Sequence, residues 1–377
     1  MLEIQQGFSS NPDMASAIKE VVHQIQQDEV KFVIFFSSTK YDFQQVSKEI
    51  NAAFEGAEVI GSTSAGEIGK HGFSNHSLVA MSISSKDWIA STVIIENIHS
   101  KPMLYRKNVI QAFEKTGLNR NDPALHQKSF GILLVDGLQA AEEMVLSVIH
   151  SIFETDQFPL VGGSAGDDLK FAETYVSANG KVYNDAAVLT FVKTSHPFCT
   201  YRENIFEPTE HTLLITKADI RGRIVYEMNG MPAAEAYASK LGIPTANLAE
   251  KMETYPIGRM YAKKVWISTP FKILDKGAIQ FYSQIFPNTM VSILKPIDPV
   301  LVARETVKNI KAQLPGVKGV IGFNCIVRLL QFQKEKACEK VYQELSDLGE
   351  VVGFTTYGEQ YGKVHINQTL TMLAIGE

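Results

Sequence analysis

The chain reads as an α/β (mixed α+β) protein of two domains, built from repeated strand-helix-strand units with mixed parallel and antiparallel sheets. Three observations lead there. One short pattern, an apolar pair, Gly, a small-hydroxyl cluster, then Gly and an acid, occurs at residues 59–67 (VIGSTSAGE), 160–167 (LVGGSAGD) and 351–359 (VVGFTTYGE). Each copy is preceded by a strand-like run and a helical stripe, and each is followed by Asn and another apolar run. Glycine clusters placed in this way fall at strand ends.

Taken in order, residues 11–27 form a packing helix with an Asn11 cap, Pro12 in the first turn and a stripe of Met14, Ala17, Ile18, Val21, Val22 and Ile25. The runs 31–38 (KFVIFFSS), 129–136 (SFGILLVD) and 318–326 (KGVIGFNCI) are dense in Val, Ile, Leu and Phe, as buried strands are. Helical spacing follows at 41–54, 140–153 and 334–348, marked by Val46, Ile50 and Phe54, by Val145, Ile149 and Phe153, and by Val341 and Leu345. The pairs Val59-Ile60, Leu160-Val161 and Val351-Val352 begin a second strand, so each unit is a crossover. Beyond the clusters run Asn75-His76-Ser77, Asn184-Asp185-Ala186 and Asn367-Gln368-Thr369, each leading into a strand. The second copy also inserts a hairpin at 174–183 with an Ala178-Asn179-Gly180 turn.

Residues 211–300 hold strand-like runs at 211–216, 223–227, 264–268 and 278–281 and a helix-like stretch at 232–241, without the glycine cluster. They are a degenerate fourth copy or a different subdomain. Breaks at 195–210 (Ser195-His196-Pro197, Glu207-Pro208-Thr209) place the boundary, giving an N-type domain 1–200 with two repeat units and a C-type domain 201–377.

At 377 residues and 45% hydrophobic content the chain can bury two ordinary cores. Net charge is -5 and the lysines are scattered, which gives a nucleic-acid partner no electrostatic footprint. Residues 1–10 lack a basic region followed by an apolar core, and no apolar run approaches membrane-spanning length. A cytoplasmic protein without membrane insertion is expected. Cys199, Cys325 and Cys338 show no paired short spacing, which argues against a disulfide framework and a thiolate zinc site; Cys325, in the apolar run 320–327, reads as a small core residue.

Glycine at a strand end lets the backbone approach a ligand, and flanking hydroxyls and amides offer donors. Gly61, Ser62, Thr63, Ser64, Gly163, Ser164, Thr355, Thr356 and Tyr357 are the candidates for ligand contact on that ground. The alternative is that each cluster is a tight turn whose hydroxyls satisfy local backbone groups. Residues 162–166 (GGSAG) fit the Gly-x-Ser-x-Gly elbow of hydrolases, but a hairpin follows where that elbow needs a helix, and no His is tied by spacing to Ser164. The acids Glu67, Asp167 and Glu359 recur at the cluster ends, where they orient amides; no cluster continues into the Gly-Lys-Ser/Thr of a phosphate loop.

Read as one strand, 364–372 puts His365, Asn367, Thr369 and Thr371 on a polar face that begins just beyond Glu359. An imidazole there could hydrogen-bond a ligand, ligate an iron, or be satisfied by its own strand face. His76 and His196 have less support, and His71 and His76 lack a third metal ligand nearby.

Residues 59–67, Asp136-Gly137-Leu138, 160–169 (LVGGSAGDDL), Asn324-Cys325-Ile326-Val327-Arg328 and 353–370 (GFTTYGEQYGKVHINQTL) resemble, in order and over nearly the whole chain, the FIST family of paired N-terminal and C-terminal sensory domains. The resemblance implies sensing of a small ligand, amino-acid-like molecules among those suggested, rather than catalysis. Within the family, 357–362 followed by 365–369 is similar to the stand-alone bacterial branch that includes nitric-oxide-sensing haem proteins acting on a separate histidine kinase. That similarity implies haem b held without covalent attachment, since no Cys-x-x-Cys-His occurs, with His365 as iron ligand and a separate kinase as partner; Glu359 and Asn367 are counted with the candidates for ligand contact. The expectation is therefore a non-catalytic signal-transduction sensor, with haem and nitric oxide as the leading ligand, a small polar metabolite as the alternative, and a serine hydrolase at Ser164 behind both.

Overall fold

The structure, a computed structural model, describes residues 1–154, 157–261 and 264–377. These form two compact units: Met1–Glu203 with Ala303–Val364 and Leu370–Glu377, and Asn204–Val302 with His365–Thr369.

In the first unit, repeat one comprises β1 (Glu3–Ser9), α1 (Met14–Ile25), β2 (Val30–Ser37), α2 (Phe43–Ala53), β3 (Glu58–Thr63), the hairpin β4 (Glu67–Gly69) and β5 (Gly72–Ser74), and β6 (Leu78–Ser84). Repeat two has β7 (Trp88–Glu96), α3 (Arg106–Lys115), α4 (Leu125–Lys128), β8 (Ser129–Val135), α5 (Glu142–His150), β9 (Leu160–Ser164), the hairpin β10 (Val176–Ala178) and β11 (Lys181–Tyr183), and β12 (Ala186–Thr194); β13 (Phe198–Asn204) follows.

The second unit takes β14 (Phe206–Asp219), β15 (Ile224–Met228), β16 (Met231–Pro232), α6 (Ala233–Leu241), β17 (Ile257–Tyr261), β18 (Lys264–Ser268), β19 (Pro270–Ile273), β20 (Ile279–Phe281) and β21 (Thr289–Pro296). After α7 (Pro299–Gln313), repeat three supplies β22 (Val317–Cys325), α8 (Ile326–Glu335), α9 (Cys338–Leu345), β23 (Glu350–Thr356), β24 (Glu359–Tyr361), β25 (Val364–Ile366) and β26 (Thr369–Gly376).

The crossovers are as the sequence predicts. β2 and β3, β8 and β9, and β22 and β23 pair in parallel, and β6, β12 and β26 run antiparallel beside the first strand of each pair. What the sequence does not show is that each repeat lends its hairpin to another repeat's sheet. β4 pairs with β23, β10 pairs with β3, and β24 pairs with β9, so repeat one completes sheet three, two completes one, and three completes two. This cyclic exchange is why repeat three folds with repeats one and two. The division at 200/201 expected from the sequence is thus not how the compact units are cut: residues 303–364 and 370–377 belong with the first unit.

Each central strand is covered on both faces, which explains its unbroken apolar run. Phe32, Ile34 and Phe36 of β2 point into a core shared with Phe130, Ile132 and Leu134 of β8 and with Ile321 and Phe323 of β22. Phe36 stacks on Phe354 with centroids 4.5 Å apart. The alternate residues Val33 and Phe35 pack outward with Ala17, Val21, Val46 and Ile50 of α1 and α2. Burying each such side chain contributes roughly 1.5–3 kcal/mol.

Three local expectations change. The cap of α1 is Asp13, whose carboxylate accepts from Ser16 N, while Asn11 caps Asp13 itself, and β1 precedes them. Strand β22 stops at Cys325 and α8 begins at once, so the third crossover has two helices, α8 and α9, with Lys336 between them in the left-handed region, instead of one over 334–348. The single strand read over 364–372 is broken at Gln368, whose φ is 53°. His76 (58°) and Asp185 (43°) take the same left-handed turn after their own asparagines, so this turn is a feature of the repeat.

Among the described residues of the second unit the pairings are antiparallel, in the order β18-β17-β21-β14-β15-β20-β19 with β16 beside β15. Ala233, Ala234 and Tyr237 of α6 pack with Leu213, Val225, Ile279 and Ile293. With no parallel crossover among its described residues, this is a different subdomain and not a fourth copy. No helix of the described chain is long and apolar enough to cross a membrane.

Candidate functional site

The three glycine bends meet within the first unit and hold one another by backbone hydrogen bonds. Ala65 N donates to Thr355 O at 3.0 Å, Tyr357 N to Ser164 O at 3.0 Å, and Gly166 N to Thr63 O at 3.2 Å, closing a ring from bend one to three to two and back to one. Two edges are reciprocated, by Thr355 N to Gly66 O and by Ser164 N to Gly358 O; on the third edge Asp168 N donates to Ser64 O. The glycine at 166 is required by contact distance, because a Cβ there would lie 2.7 Å from Ala65 N.

Each bend also ties a hydroxyl to a buried carboxylate. Ser64 Oγ donates to Glu67, Ser164 Oγ to Glu142 at 3.0 Å and Thr356 Oγ1 to Glu359. Glu67 further accepts from Ser77 N at 3.0 Å and Ser77 Oγ at 2.6 Å. Burial pushes its pKa up from 4.5 to about 8, against the lowering effect of those hydrogen bonds. Asp167 accepts from the amides of Phe171, Ala172 and Glu173. Tyr357 Oη donates to Asp167, accepts from Leu169 N at 3.1 Å, and its ring stacks on Phe171 at 4.8 Å. Burial, with the Asp167 charge, pushes the Tyr357 phenol well above its usual range.

These bonds assign the hydroxyls of Ser64, Ser164 and Thr356 to the fold, while Ser62 Oγ and Thr355 Oγ1 have no partner among the described residues. Ser62, Thr63, Ser64, Ser164, Thr355 and Thr356 are all fully buried. At Gly61 an added Cβ would meet the Phe35 ring at 2.5 Å, and at Gly163 it would meet Thr356 Cγ2 at 2.5 Å, so both glycines admit neighbouring side chains. Ser164 Oγ also accepts from Gln360 Nε2 at 3.0 Å, and no imidazole is among its partners.

An open space lies just beyond the ring. A cleft of about 170 Å³ is lined by Ala65 of bend one, Asn75 and His76 of the left-handed turn, Asp168 and Leu169 after bend two, and Ile326, Leu329, Leu330 and Gln333 of α8. The α8 positions stand at i, i+3, i+4 and i+7, a single helix face. Asp168 and Leu169 are both in the left-handed region, with φ of 54° and 64°. Three bonds to Oδ2 hold Asp168 there: Ser38 Oγ at 2.9 Å, Thr39 N at 2.9 Å and Thr39 Oγ1 at 2.6 Å. Sequence reasoning selected none of these lining residues for ligand contact. The available signal was the apolar spacing 326, 329, 330 in a stretch read partly as strand.

His365 is 5% exposed, already engaged within the protein, and not among the residues lining this cleft; Asn367 is 2% exposed, with Oδ1 unpartnered among the described residues. The cleft, at about 170 Å³, falls short of the roughly 300–1,000 Å³ of drug-sized ligand sites. Among the described residues no group of three His, Cys, Asp or Glu side chains could hold a metal ion.

The profile of the FIST N domain matches residues 31–231, and that of the FIST C domain matches residues 233–362. The chain belongs to the FIST family. FIST domains are signalling sensor domains and are generally not enzymes. The uncharacterized protein MJ1623 of Methanocaldococcus jannaschii is 25% identical to this FIST protein over 194 residues, 50% of this chain and 37% of that protein. The chain thus spans well under half the length of that curated relative. Among solved structures, a chorismatase covers 100% of this chain and 98% of its own at a TM-score of 0.38 and 8% identity. PurLQS from Thermotoga maritima covers 100% of this chain and 72% of its own at a TM-score of 0.21 and 9% identity. Neither likeness carries an argument about function.

Proposed function

We propose that this FIST protein is a cytoplasmic signal-transduction sensor that holds a small, partly polar ligand in the cleft between Ala65, the Asn75-His76 turn, Asp168 and α8, and conveys its occupancy to a separate signalling partner. The cleft carries this reading. Beside Gln333 on α8, an apolar wall of Ile326, Leu329 and Leu330 lines the cleft together with the polar groups of Asn75, His76 and Asp168, the mixture that orients a small molecule. The ring of bends is a rigid floor from which all three repeats would register occupancy. Signalling requires the ligand to bind one conformation more tightly than another, and a partner that distinguishes the two. A histidine kinase is the partner class that the resemblance to the stand-alone branch favours.

A thermal-shift screen of small polar metabolites tests the reading, with Leu330→Trp as the blocking variant. Leu330 is 42% exposed, so a larger ring there fills the cleft without disturbing the core. The reading expects a metabolite that raises Tm in the wild type and not in Leu330→Trp. A hit that the variant binds equally well would move the site elsewhere.

Haem with nitric oxide is the competing reading. The observation in its favour is the unpartnered, buried Asn367 Oδ1 two residues from His365. Haem titration decides it: a Soret band that shifts with nitric oxide and is lost in His365→Ala would replace the cleft as the sensing site, and the spectrum of free haem would retire the haem reading.

A further inference from the structure

The cleft's chemistry goes further than its shape. Among the described residues that line it, Asp168 is the only one that carries a fixed charge, and neither Lys nor Arg is present. Its Oδ2 takes all three bonds from Ser38 and Thr39, and Oδ1 takes none among the described residues. Lys170, two residues on, is turned to Thr39, with Nζ donating to Oγ1 at 2.7 Å. Behind the bend lies the buried carboxyl of Glu67, close enough for the Asp168 charge to be felt there. The side chains of Asn75, His76 and Gln333 make no hydrogen bond within the described protein, so each is available to a ligand.

An anionic or zwitterionic ligand would bring a carboxylate into this space with no cation to meet it, and its desolvation would go uncompensated. A cation has the opposite fate. It meets a positioned carboxylate oxygen, with the amide oxygens of Asn75 and Gln333 to take its remaining protons. The three apolar residues of α8 then require a short hydrocarbon body on the other side, and the volume admits only a handful of heavy atoms.

We infer that the cleft takes a small primary amine in its ammonium form, the ammonium donating to Asp168 Oδ1 and the apolar body lying on Ile326, Leu329 and Leu330. This rests on the cleft being the ligand site, and it narrows the ligand to a class that excludes free carboxylates and amino acids.

Four probes of similar size separate the possibilities by calorimetry: isobutylamine, isobutanol, isobutyrate and valine. Isobutylamine is expected to bind saturably and the other three at least about tenfold more weakly, the difference one charge-assisted bond makes. Asp168→Asn should remove that preference. Because Asp168 also anchors the loop to Ser38 and Thr39, Leu330→Ser provides a second variant at an exposed position, expected to weaken isobutylamine by several fold while leaving Tm unchanged. Tighter binding of valine or isobutyrate, unchanged amine affinity in folded Asp168→Asn, or no binding by any probe would overturn the inference. The cleft reading fails separately, through a metabolite that Leu330→Trp does not block.

Discussion

Ala65 and Thr355 belong to the first and third repeats, yet Ala65 N donates to Thr355 O at 3.0 Å and Thr355 N to Gly66 O at 2.7 Å. The same exchange joins the third repeat to the second through Tyr357, Ser164 and Gly358. Duplication has thus produced neither three separate lobes nor a chain of neighbours but a closed ring, whose members lie at strand ends far apart in sequence.

The ring depends on close backbone approach, which makes Gly166→Ala its most economical perturbation. The new Cβ would lie 2.7 Å from Ala65 N and 2.8 Å from Ala65 Cβ, and neither atom is the end of a flexible side chain. A loss of about 1–3 kcal/mol in urea unfolding is expected. Gly230→Ala is the comparison, since nothing lies within 4 Å of its added Cβ and its φ of 75° leaves backbone strain as the only cost.

Glu67 gives stability a pH dependence of defined sign. Its folded pKa, about 8, is above the ordinary 4.5, so the folded chain holds the proton more tightly than the unfolded chain. The associated stability is complete below about pH 4.5 and is lost as pH rises through about 8. Urea midpoints should therefore fall between pH 5 and pH 8.5 in the wild type and fall less in Glu67→Gln. Equal slopes in the two proteins would assign the proton elsewhere.

Arg328 and Glu203 form an ion pair with side chains 0% and 1% exposed. Arg328 Nε also donates to Asn324 Oδ1 at 3.1 Å, and its guanidinium lies 5.2 Å from the Phe332 centroid. One atom on each side, Arg328 Nη1 and Glu203 Oε2, has no partner among the described residues. Removing one member leaves a buried charge alone, so Arg328→Met should lose about 3–5 kcal/mol. Adding Glu203→Leu should restore much of that loss, because the pair itself is incompletely satisfied. A double variant as unstable as the single one would show that the pair contributes net stability.

Ser164→Ala separates a structural serine from a nucleophile. The hydroxyl bridges Gln360 to Glu142, so its loss should cost about 1–3 kcal/mol of stability by leaving a buried carboxylate oxygen short of a donor. Turnover of a generic ester should be the same, at background, in both proteins. Activity abolished by the substitution would reinstate the hydrolase.

The repeat, its crossovers and the Asn179-Gly180 hairpin are legible because each leaves a local mark. Strands buried on both faces read as unbroken apolar runs, and the turn residues have φ of 49° and 78°, which Asn and Gly tolerate. Helix α8 escapes notice because it follows β22 without a break, and Cys325 at its N-cap makes no side-chain capping bond. Of the hydroxyls chosen for ligand contact, those of Ser64, Ser164 and Thr356 are consumed by carboxylates. For Ser64 with Glu67 and Thr356 with Glu359 that outcome is written in a spacing of three, whereas Glu142 is separated from Ser164 by the length of α5 and the strand after it. The cleft is invisible to any local reading, since its walls come from all three repeats and meet only after the hairpins are exchanged.

Native-state hydrogen exchange at the amides of Ala65, Gly166 and Tyr357 tests the ring most directly. Each amide is held by the carbonyl of a different bend, so none can open without breaking an edge shared with its neighbour. All three are predicted to exchange with one common opening free energy and to lose protection together in Gly166→Ala. A bend that opens alone, at a free energy well below the other two, would contradict the account.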